Sequence, residues 1–180
     1  WDIIYEHCSY FVSHSLAFAF ERSGYEVLQV AEAFAGQFLG LESRPRREAT
    51  VSGAGQSASL DQIHEQVIAF GKRYRAKVRS WEHALERVVS QGQRAVVWGA
   101  GSKGVTFLNV LDAKDKVEKV VDINPRKHGM HVAGTGQTIV PPEHLRECPP
   151  DVVIVMNPVY EHEIKQTVEG LGLQAELICA

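Results

Sequence analysis

The chain has 180 residues, of which 44% are hydrophobic and 23% charged, and a formal net charge of −3. This composition is typical of a globular protein with a sizeable core, and it excludes wholesale disorder and disulfide-stapled miniproteins. The small acidic excess, with a sequence pI near 6.3, argues against a nucleic-acid binder. No apolar run in the sequence approaches the roughly 20 residues of a membrane span, so we expect no membrane partner.

Two features bear on the origin of the chain. It opens at Trp1 with an apolar segment and no methionine, which is unusual for a native terminus. We therefore interpret the sequence as part of a longer protein. Cys8, Cys148 and Cys179 are odd in number and far apart, without zinc or redox spacing. This cysteine usage favours a reducing, cytoplasmic setting.

Residues 1–44 form the first of three stretches that differ in composition. The pattern predicts a helix over 15–22, ended by Gly24, because glycine tolerates the positive φ of a helix C-terminus. Strands are predicted over 25–30 and 36–42. A segment rich in Arg, Ser, Gly and Ala at 45–58 follows and is predicted to be a linker.

Residues 59–91 form the second stretch, a long amphipathic helix or two helices broken at Gly71. Ser59 with Gln62 makes a capping box at its start, and Gly92 follows its end. Its apolar residues recur every three or four positions, which predicts one stripe: Leu60, Ile63, Val67, Phe70, Tyr74, Val78, Trp81, Leu85 and Val88. We interpret it as a connecting helix packed on its neighbours, with a dimerising coiled coil as the alternative.

Residues 93–180 alternate apolar strands with helices. Strands are predicted at 94–98, 117–122, 138–140, 151–156 and 175–178. Helices are predicted at 102–111, 142–146 and 161–169. This alternation is typical of a parallel sheet covered on both faces, so the fold class is α/β with a Rossmann-like lobe.

The strongest motif is Gly99-Ala100-Gly101-Ser102-Lys103-Gly104, between a predicted strand and a predicted helix. Its glycines permit a tight turn, and the helix N-terminus suits a diphosphate, to which Lys103 adds a positive charge. Asp122 lies about 20 residues on, at a strand end, where an acid can accept from ribose hydroxyls. Nucleotide binding, dinucleotide binding and a turn that only packs helix on strand all remain open. The lobe lacks room for a second mononucleotide half, which weighs against NAD.

Further candidate contacts lie at the ends of other predicted strands, where open parallel sheets bind ligands. Asn157 and Tyr160 follow one apolar strand, and Asn124 follows another. Helix capping by Asn157 and packing by Tyr160 are the alternatives. The candidate ligand-binding residues are therefore Gly99, Gly101, Ser102, Lys103, Asp122, Asn124, Asn157 and Tyr160.

A third cluster, Tyr5-Glu6-His7, lies near the start. An adjacent glutamate and histidine can supply a general base and a carboxylate that holds its tautomer, provided that they lie in a loop or turn. The other histidines lack metal-ligand spacing, so we predict no metal site in this chain.

Several motifs, in order, resemble the C-terminal part of bacterial sugar C-methyltransferases. The segments that carry the resemblance are 97–104, 121–129 and 151–157, after a long helix over 59–91. The start, Tyr5-Glu6-His7-Cys8-Ser9-Tyr10-Phe11 followed by a helix and two strands, is similar to the last part of that family's methyltransferase domain. The resemblance implies that 1–44 ends a methyltransferase domain and that 93–180 is a Rossmann-like substrate-binding domain.

The resemblance also implies a chemistry. Family members transfer a methyl group from S-adenosylmethionine to a carbon of a nucleotide-linked keto-sugar, after a base removes the proton beside the keto group. The matching pair is Glu6-His7 with His7 as the base, and Tyr5 is a third candidate. In that family, zinc is bound by a part of the protein that precedes this region. The same preceding part provides most of the binding site for S-adenosylmethionine. We therefore expect no methyl transfer by this chain alone.

Two other functions remain as alternatives to the methyltransferase. One is an NAD(P)-binding oxidoreductase module built on the glycine-rich turn. The other is a non-catalytic nucleotide-binding module that dimerises through the helix at 59–91. The sequence leaves open whether the protein is a monomer or a homodimer.

Overall fold

The computed structural model describes residues 1–4, 7–34, 36–46 and 60–180. They belong to two compact units, one formed by Trp1–Glu6 with Arg75–Ala180 and the other by His7–Tyr74. Most of the predicted linker at 45–58, and Ser59 of the predicted capping box, lie outside the described residues. None of the described helices is long and apolar enough to cross a membrane.

The unit His7–Tyr74 contains a helix and a two-stranded antiparallel sheet. Its elements are α1 (Ser13–Arg22), β1 (Tyr25–Ala33), β2 (Phe38–Pro45) and the first part of α2 (Leu60–Ser90). The predicted helix and both strands are confirmed. Gly24 adopts a φ of +87° between α1 and β1, as its position after a helix requires. The second strand lies two to three residues later than predicted, since pairing from Tyr25↔Pro45 to Ala33↔Phe38 sets its limits.

The larger unit is built on a five-stranded parallel sheet of order β5-β4-β3-β6-β7. Its strands are β3 (Ala95–Trp98), β4 (Lys119–Val121), β5 (Ile139–Val140), β6 (Val152–Val155) and β7 (Glu176–Cys179). Its helices are α3 (Ser102–Val110) and α4 (Glu161–Gly170), with 3₁₀ helices at Pro125–Lys127, Pro142–Arg146 and Pro158–Tyr160. The predicted α/β fold with a parallel Rossmann-like sheet is confirmed.

The sheet is buried on both faces, as the unbroken apolar strands predict. Successive residues of a strand point to opposite faces, so β3 and β6 each contribute to two separate clusters. One cluster joins Val97 and Ile154 to Phe107 of α3 and to the end of α2. The other joins the opposite face to α4 and to the 3₁₀ helix Pro142–Arg146. Polar groups are thereby restricted to the ends of the strands.

α2 is one helix that continues through Gly71. The second part of its predicted stripe, Trp81, Leu85 and Val88, is buried in the core of the larger unit. The first part differs, because Val67 and Phe70 are mostly exposed. The prediction of a packed helix is therefore confirmed for the C-terminal half of the stripe.

Two adjacent valines of α2 provide a matched test of this packing. Val88 is 7% exposed and Val89 is 50% exposed. Val88→Ala removes two buried methyl groups and leaves a cavity, so we expect a loss of about 2 kcal/mol in the free energy of unfolding. Val89→Ala should change it by less than about 0.5 kcal/mol. Urea denaturation monitored by tryptophan fluorescence measures both, and equal effects would contradict the observed orientation of α2.

Candidate functional site

The glycine-rich turn joins β3 to α3 at the carboxyl end of the central strand. Gly99 adopts a backbone φ of +119°, which residues with a Cβ atom rarely adopt. Its N–H donates a 2.8 Å hydrogen bond to the carbonyl oxygen of Val121 at the end of β4. The turn is thus tied to the neighbouring strand as it leaves the sheet.

The two later glycines of the motif meet different surroundings. A Cβ at Gly104 would overlap the carbonyl oxygen of Gly99, so the close approach of α3 to the turn requires glycine there. A Cβ at Gly101 would meet no atom within 4 Å. Gly101 therefore leaves open space in front of the helix N-terminus, where a ligand can approach the backbone closely.

The N-terminus of α3 opens on that space. Gly101 is its N-cap residue, and no side chain of the described residues caps it. The first N–H groups of an α-helix lack partners within the helix and carry a partial positive charge. Lys103 lies in this first turn, and its Nζ is 3.3 Å from a carboxylate oxygen of Asp2. The local chemistry suits an anion.

Asp122, which directly follows β4, holds the turn from the other side. Its Oδ2 accepts hydrogen bonds from the N–H of Ala100 at 2.9 Å and from Nζ of Lys127 at 2.9 Å. Its Oδ1 accepts from the N–H of Asn124 at 2.8 Å. The carboxylate therefore joins the β3–α3 turn to the segment that follows β4.

The pKa of Asp122 reflects two opposing effects. Burial raises it, but the hydrogen bonds from Lys127, from the N–H of Asn124 and from the N–H of Ala100, together with the charge of Lys127, lower it below its usual value. The net direction is downward because these donors stabilise the ionised form. Asp122 is consequently a carboxylate throughout the neutral pH range.

A cleft of about 570 Å³ lies at this edge of the sheet, between the turn, the end of β4 and the start of α4. Its lining includes all the predicted ligand-binding residues except Asn124: Gly99, Gly101, Ser102, Lys103, Asp122, Asn157 and Tyr160. Asn124 instead caps the 3₁₀ helix Pro125–Lys127, where its side chain accepts from the N–H of Arg126 at 3.1 Å. Most of the residues predicted from the rule that ligands bind beyond strand ends thus lie together in the structure.

Asn157 and Tyr160 combine both interpretations weighed from the sequence. Oδ1 of Asn157 accepts from the N–H of Val159 and so caps the 3₁₀ helix Pro158–Tyr160, as the capping alternative predicts. Both residues also line the cleft, and Tyr160 is half exposed there. A capping role and a position at the site are compatible here.

Several residues of the cleft, and one beside it, were not predicted from the sequence. The missed lining residues are Trp98, Ile123, Met156, Glu163, Ile164 and Thr167. Met156 directly follows β6 and Ile123 is the second residue after β4, so the strand-end rule could have found them. Glu163 and Thr167 lie four residues apart, on one face of α4. The contact of Lys127 with Asp122 had no sequence signal beyond a turn at Asn124-Pro125.

Of the predicted catalytic cluster Tyr5-Glu6-His7, the structure describes His7. Tyr5 and Glu6 lie outside the described residues. His7 belongs to the unit His7–Tyr74, is exposed, and has its ring centroid 6.0 Å from that of Tyr10 in an edge-on arrangement. Among the residues that the structure describes, no three His, Cys, Asp or Glu side chains are grouped to hold a metal ion.

Comparison with known proteins gives one family. A family model described as the C-methyltransferase C-terminal domain matches residues 45–178, which is most of the chain. No curated protein sequence matches the chain.

Solved structures that match part of the chain include RSP, a Rex-family repressor, at 13% identity and a TM-score of 0.39, covering 52% of this chain and 56% of that one. RSP in complex with beta-NADH matches at 14% identity and a TM-score of 0.38, covering 49% and 53%. UDP-D-quinovosamine 4-dehydrogenase from Vibrio fischeri matches at 21% identity and 0.39, covering 48% and 76%. The chain thus spans only a little over half of the repressor's length.

We expect alanine to have different effects on stability at the two glycines near the start of α3. Gly104→Ala forces a methyl group into the carbonyl of Gly99, so we expect a loss of about 2–3 kcal/mol of stability. Gly101→Ala adds the same methyl group in open space at a negative φ of −92° and should leave stability within about 0.5 kcal/mol. Thermal and urea denaturation of both variants measure this. Equal stabilities would show that α3 does not need the close approach.

Proposed function

The chain belongs to the C-methyltransferase C-terminal domain family, and we propose that its cleft binds the nucleotide diphosphate of a nucleotide-linked keto-sugar for methylation at carbon. The observation that carries this proposal is the convergence of the glycine-rich turn, the N-terminus of α3 and Lys103 on one cleft. These groups suit an anionic ligand, and they lie where parallel sheets bind nucleotides.

The diphosphate is assigned to the open space at Gly101. Backbone N–H groups at a helix N-terminus stabilise an anion by about 0.3–1 kcal/mol at exposed sites and up to about 2 kcal/mol when partly buried. Lys103 adds a full charge in the same turn. A diphosphate there would compete with Asp2 for the ammonium group, because the Asp2 side chain in the present 3.3 Å ion pair is 57% exposed and a pair with so exposed a partner is worth little.

The rest of the cleft suits a nucleoside and a sugar. Its walls carry apolar groups from Ile123 and Met156, and the aromatic ring of Tyr160. Ile123 is 75% exposed, which is unusual for such a side chain at the end of a buried strand. The volume of about 570 Å³ is within the range of small-molecule sites.

The methyl donor fits this cleft less well. S-adenosylmethionine carries a sulfonium cation and no phosphate, whereas the turn, the helix N-terminus and Lys103 favour an anion. We therefore assign its binding, as well as any zinc, mainly to a part of the enzyme upstream of Trp1. When bound, S-adenosylmethionine supplies an electrophilic methyl group. The nucleotide sugar is the ligand that this chain's own residues would hold.

His7 is proposed as the base of the reaction. It would take the proton from the carbon beside the keto group, and the electron pair of that C–H bond would move into an enolate. The enolate carbon would then form a bond to the methyl carbon as the bond from sulfur to methyl breaks. Glu6 would orient the imidazole of His7, and Tyr5 is the third candidate for a catalytic role.

A test of the binding site is calorimetric titration of the chain with dTDP, NAD and S-adenosylmethionine. We expect saturable binding of dTDP alone and about tenfold weaker binding for Lys103→Met, since one charge-assisted contact is lost. Lys165→Met is the matched control, because Lys165 lies on α4, is largely exposed and does not line the cleft. Binding of NAD but not of dTDP would favour the oxidoreductase alternative and overturn the proposal.

A test of the base uses the complete methyltransferase that contains this chain. His7→Gln should reduce methyl transfer by about 10²–10⁴-fold, the usual contribution of a general base, while dTDP binding stays unchanged. His14→Gln, at another exposed histidine of the same unit, is the control and should retain activity. Full activity of the His7 variant would remove His7 from the mechanism.

A further inference from the structure

Lys127 makes an unusual contact at the rim of the cleft. Its Nζ donates to Oδ2 of Asp122 at 2.9 Å and to the carbonyl oxygen of Ala100 at 3.1 Å. The Asp122 side chain is only 10% exposed, and that of Lys127 is 33% exposed. The ammonium group thus bridges the β3–α3 turn and the strand end.

The backbone before Lys127 fixes this position. Asn124 caps the 3₁₀ helix that ends at Lys127, and the N–H of Lys127 donates to the carbonyl oxygen of Asn124 at 3.0 Å. Nε2 of His128 lies 2.7 Å from the carbonyl oxygen of Asp122. The segment from Asp122 to His128 is therefore held to itself by several hydrogen bonds, and Lys127 reaches Asp122 from a fixed backbone.

The hydrogen bonds of Asp122 can be counted against its capacity. A carboxylate has about four lone-pair positions, two on each oxygen. Ala100 and Lys127 occupy both positions on Oδ2, and Asn124 occupies one on Oδ1. About one position remains, on Oδ1. A vicinal diol that donates one hydrogen bond to each oxygen needs a position on both.

We propose that Lys127 is a specificity-determining residue, which leaves Asp122 able to accept from one ribose hydroxyl but not from two. The cleft would then gain nothing from a 2′-hydroxyl and would accept 2′-deoxyribonucleotides at least as well as ribonucleotides. The inference rests on the proposed function, since it assumes that a nucleotide occupies the cleft. With its phosphates at the α3 N-terminus, the nucleotide's ribose faces the acid at the end of the next strand.

The charge of Lys127 acts in the same direction. A free carboxylate attracts hydroxyl donors strongly, because hydrogen bonds to ionised groups are stronger than neutral ones. The adjacent ammonium group neutralises that charge at 2.9 Å. Ligands that depend on a carboxylate for both ribose hydroxyls, such as the adenosine half of NAD, are therefore disfavoured as well.

The experiment compares dUDP with UDP, which differ only in the 2′-hydroxyl. Calorimetry gives the ratio of their dissociation constants for the unaltered chain, Lys127→Met, Asp122→Asn and the double variant. For the unaltered chain we expect dUDP to bind at least as tightly as UDP. Lys127→Met frees a hydrogen-bond position on Oδ2 of Asp122. In this variant we therefore expect the affinity for UDP, relative to that for dUDP, to increase about tenfold. The double variant should lose that shift, because it lacks the carboxylate.

The ratio separates specificity from a general loss of structure. If Lys127 only stabilises the turn, Lys127→Met weakens both nucleotides equally, the ratio stays constant and the proposal is overturned. Lys127→Arg keeps the cation and should keep the original ratio, and Lys114→Met, at an exposed lysine, is the control for the substitution. Should Lys127→Met fail to fold, tenfold tighter binding of UDP than of dUDP by the unaltered chain still overturns the inference.

The outcome also distinguishes this inference from the function on which it rests. Saturable binding of either nucleotide that weakens in Lys103→Met supports the proposed function whatever the ratio does. A constant ratio then removes only the role of Lys127. If neither nucleotide binds, the proposed function fails and the specificity assigned to Lys127 fails with it.

Discussion

A parallel sheet that is buried on both faces can present polar groups to a ligand only at the ends of its strands. Every residue of β3 and β6 is buried, and their side chains alternate between two apolar clusters. The glycine-rich turn directly follows β3, Asp122 directly follows β4, and Asn157 is the second residue after β6. The cleft therefore lies at the carboxyl ends of the strands, because the buried faces of the sheet offer no position for polar groups that contact a ligand.

Much of this arrangement could be predicted from local sequence. The apolar run of β6 and the position of the glycine motif between strand and helix are short-range signals, and most of the residues that they singled out lie together in the cleft. The position of β2 was less accurate, because its limits depend on pairing with β1 rather than on its own residues. Trp81 is buried and Val67 is exposed, although both belong to the same predicted stripe. This difference depends on tertiary packing, which the periodic pattern does not indicate.

Lys127 shows a different limit of sequence analysis. Its contact with Asp122 depends on a three-residue 3₁₀ helix whose start is set by the side chain of Asn124. No periodicity marks so short an element, and a lysine in a polar turn is usually a solvated side chain. The sequence suggested Asp122 as a ligand-binding acid, whereas the structure shows a carboxylate whose first partners are protein groups. This difference concerns the hydrogen-bonding capacity of Asp122, which depends on tertiary contacts that no short sequence pattern indicates.

The order of the strands also affects how the domain folds. β3 lies between β4 and β6, and Ala95 pairs with Val152, more than 50 residues later in the chain. Closing a loop of that length costs entropy before the contacts form, so such pairings are slow. Until β6 arrives, one edge of the central strand has no partner and can pair with another chain. A partly folded chain in which only β3 and β4 have paired would therefore be prone to aggregation at this edge.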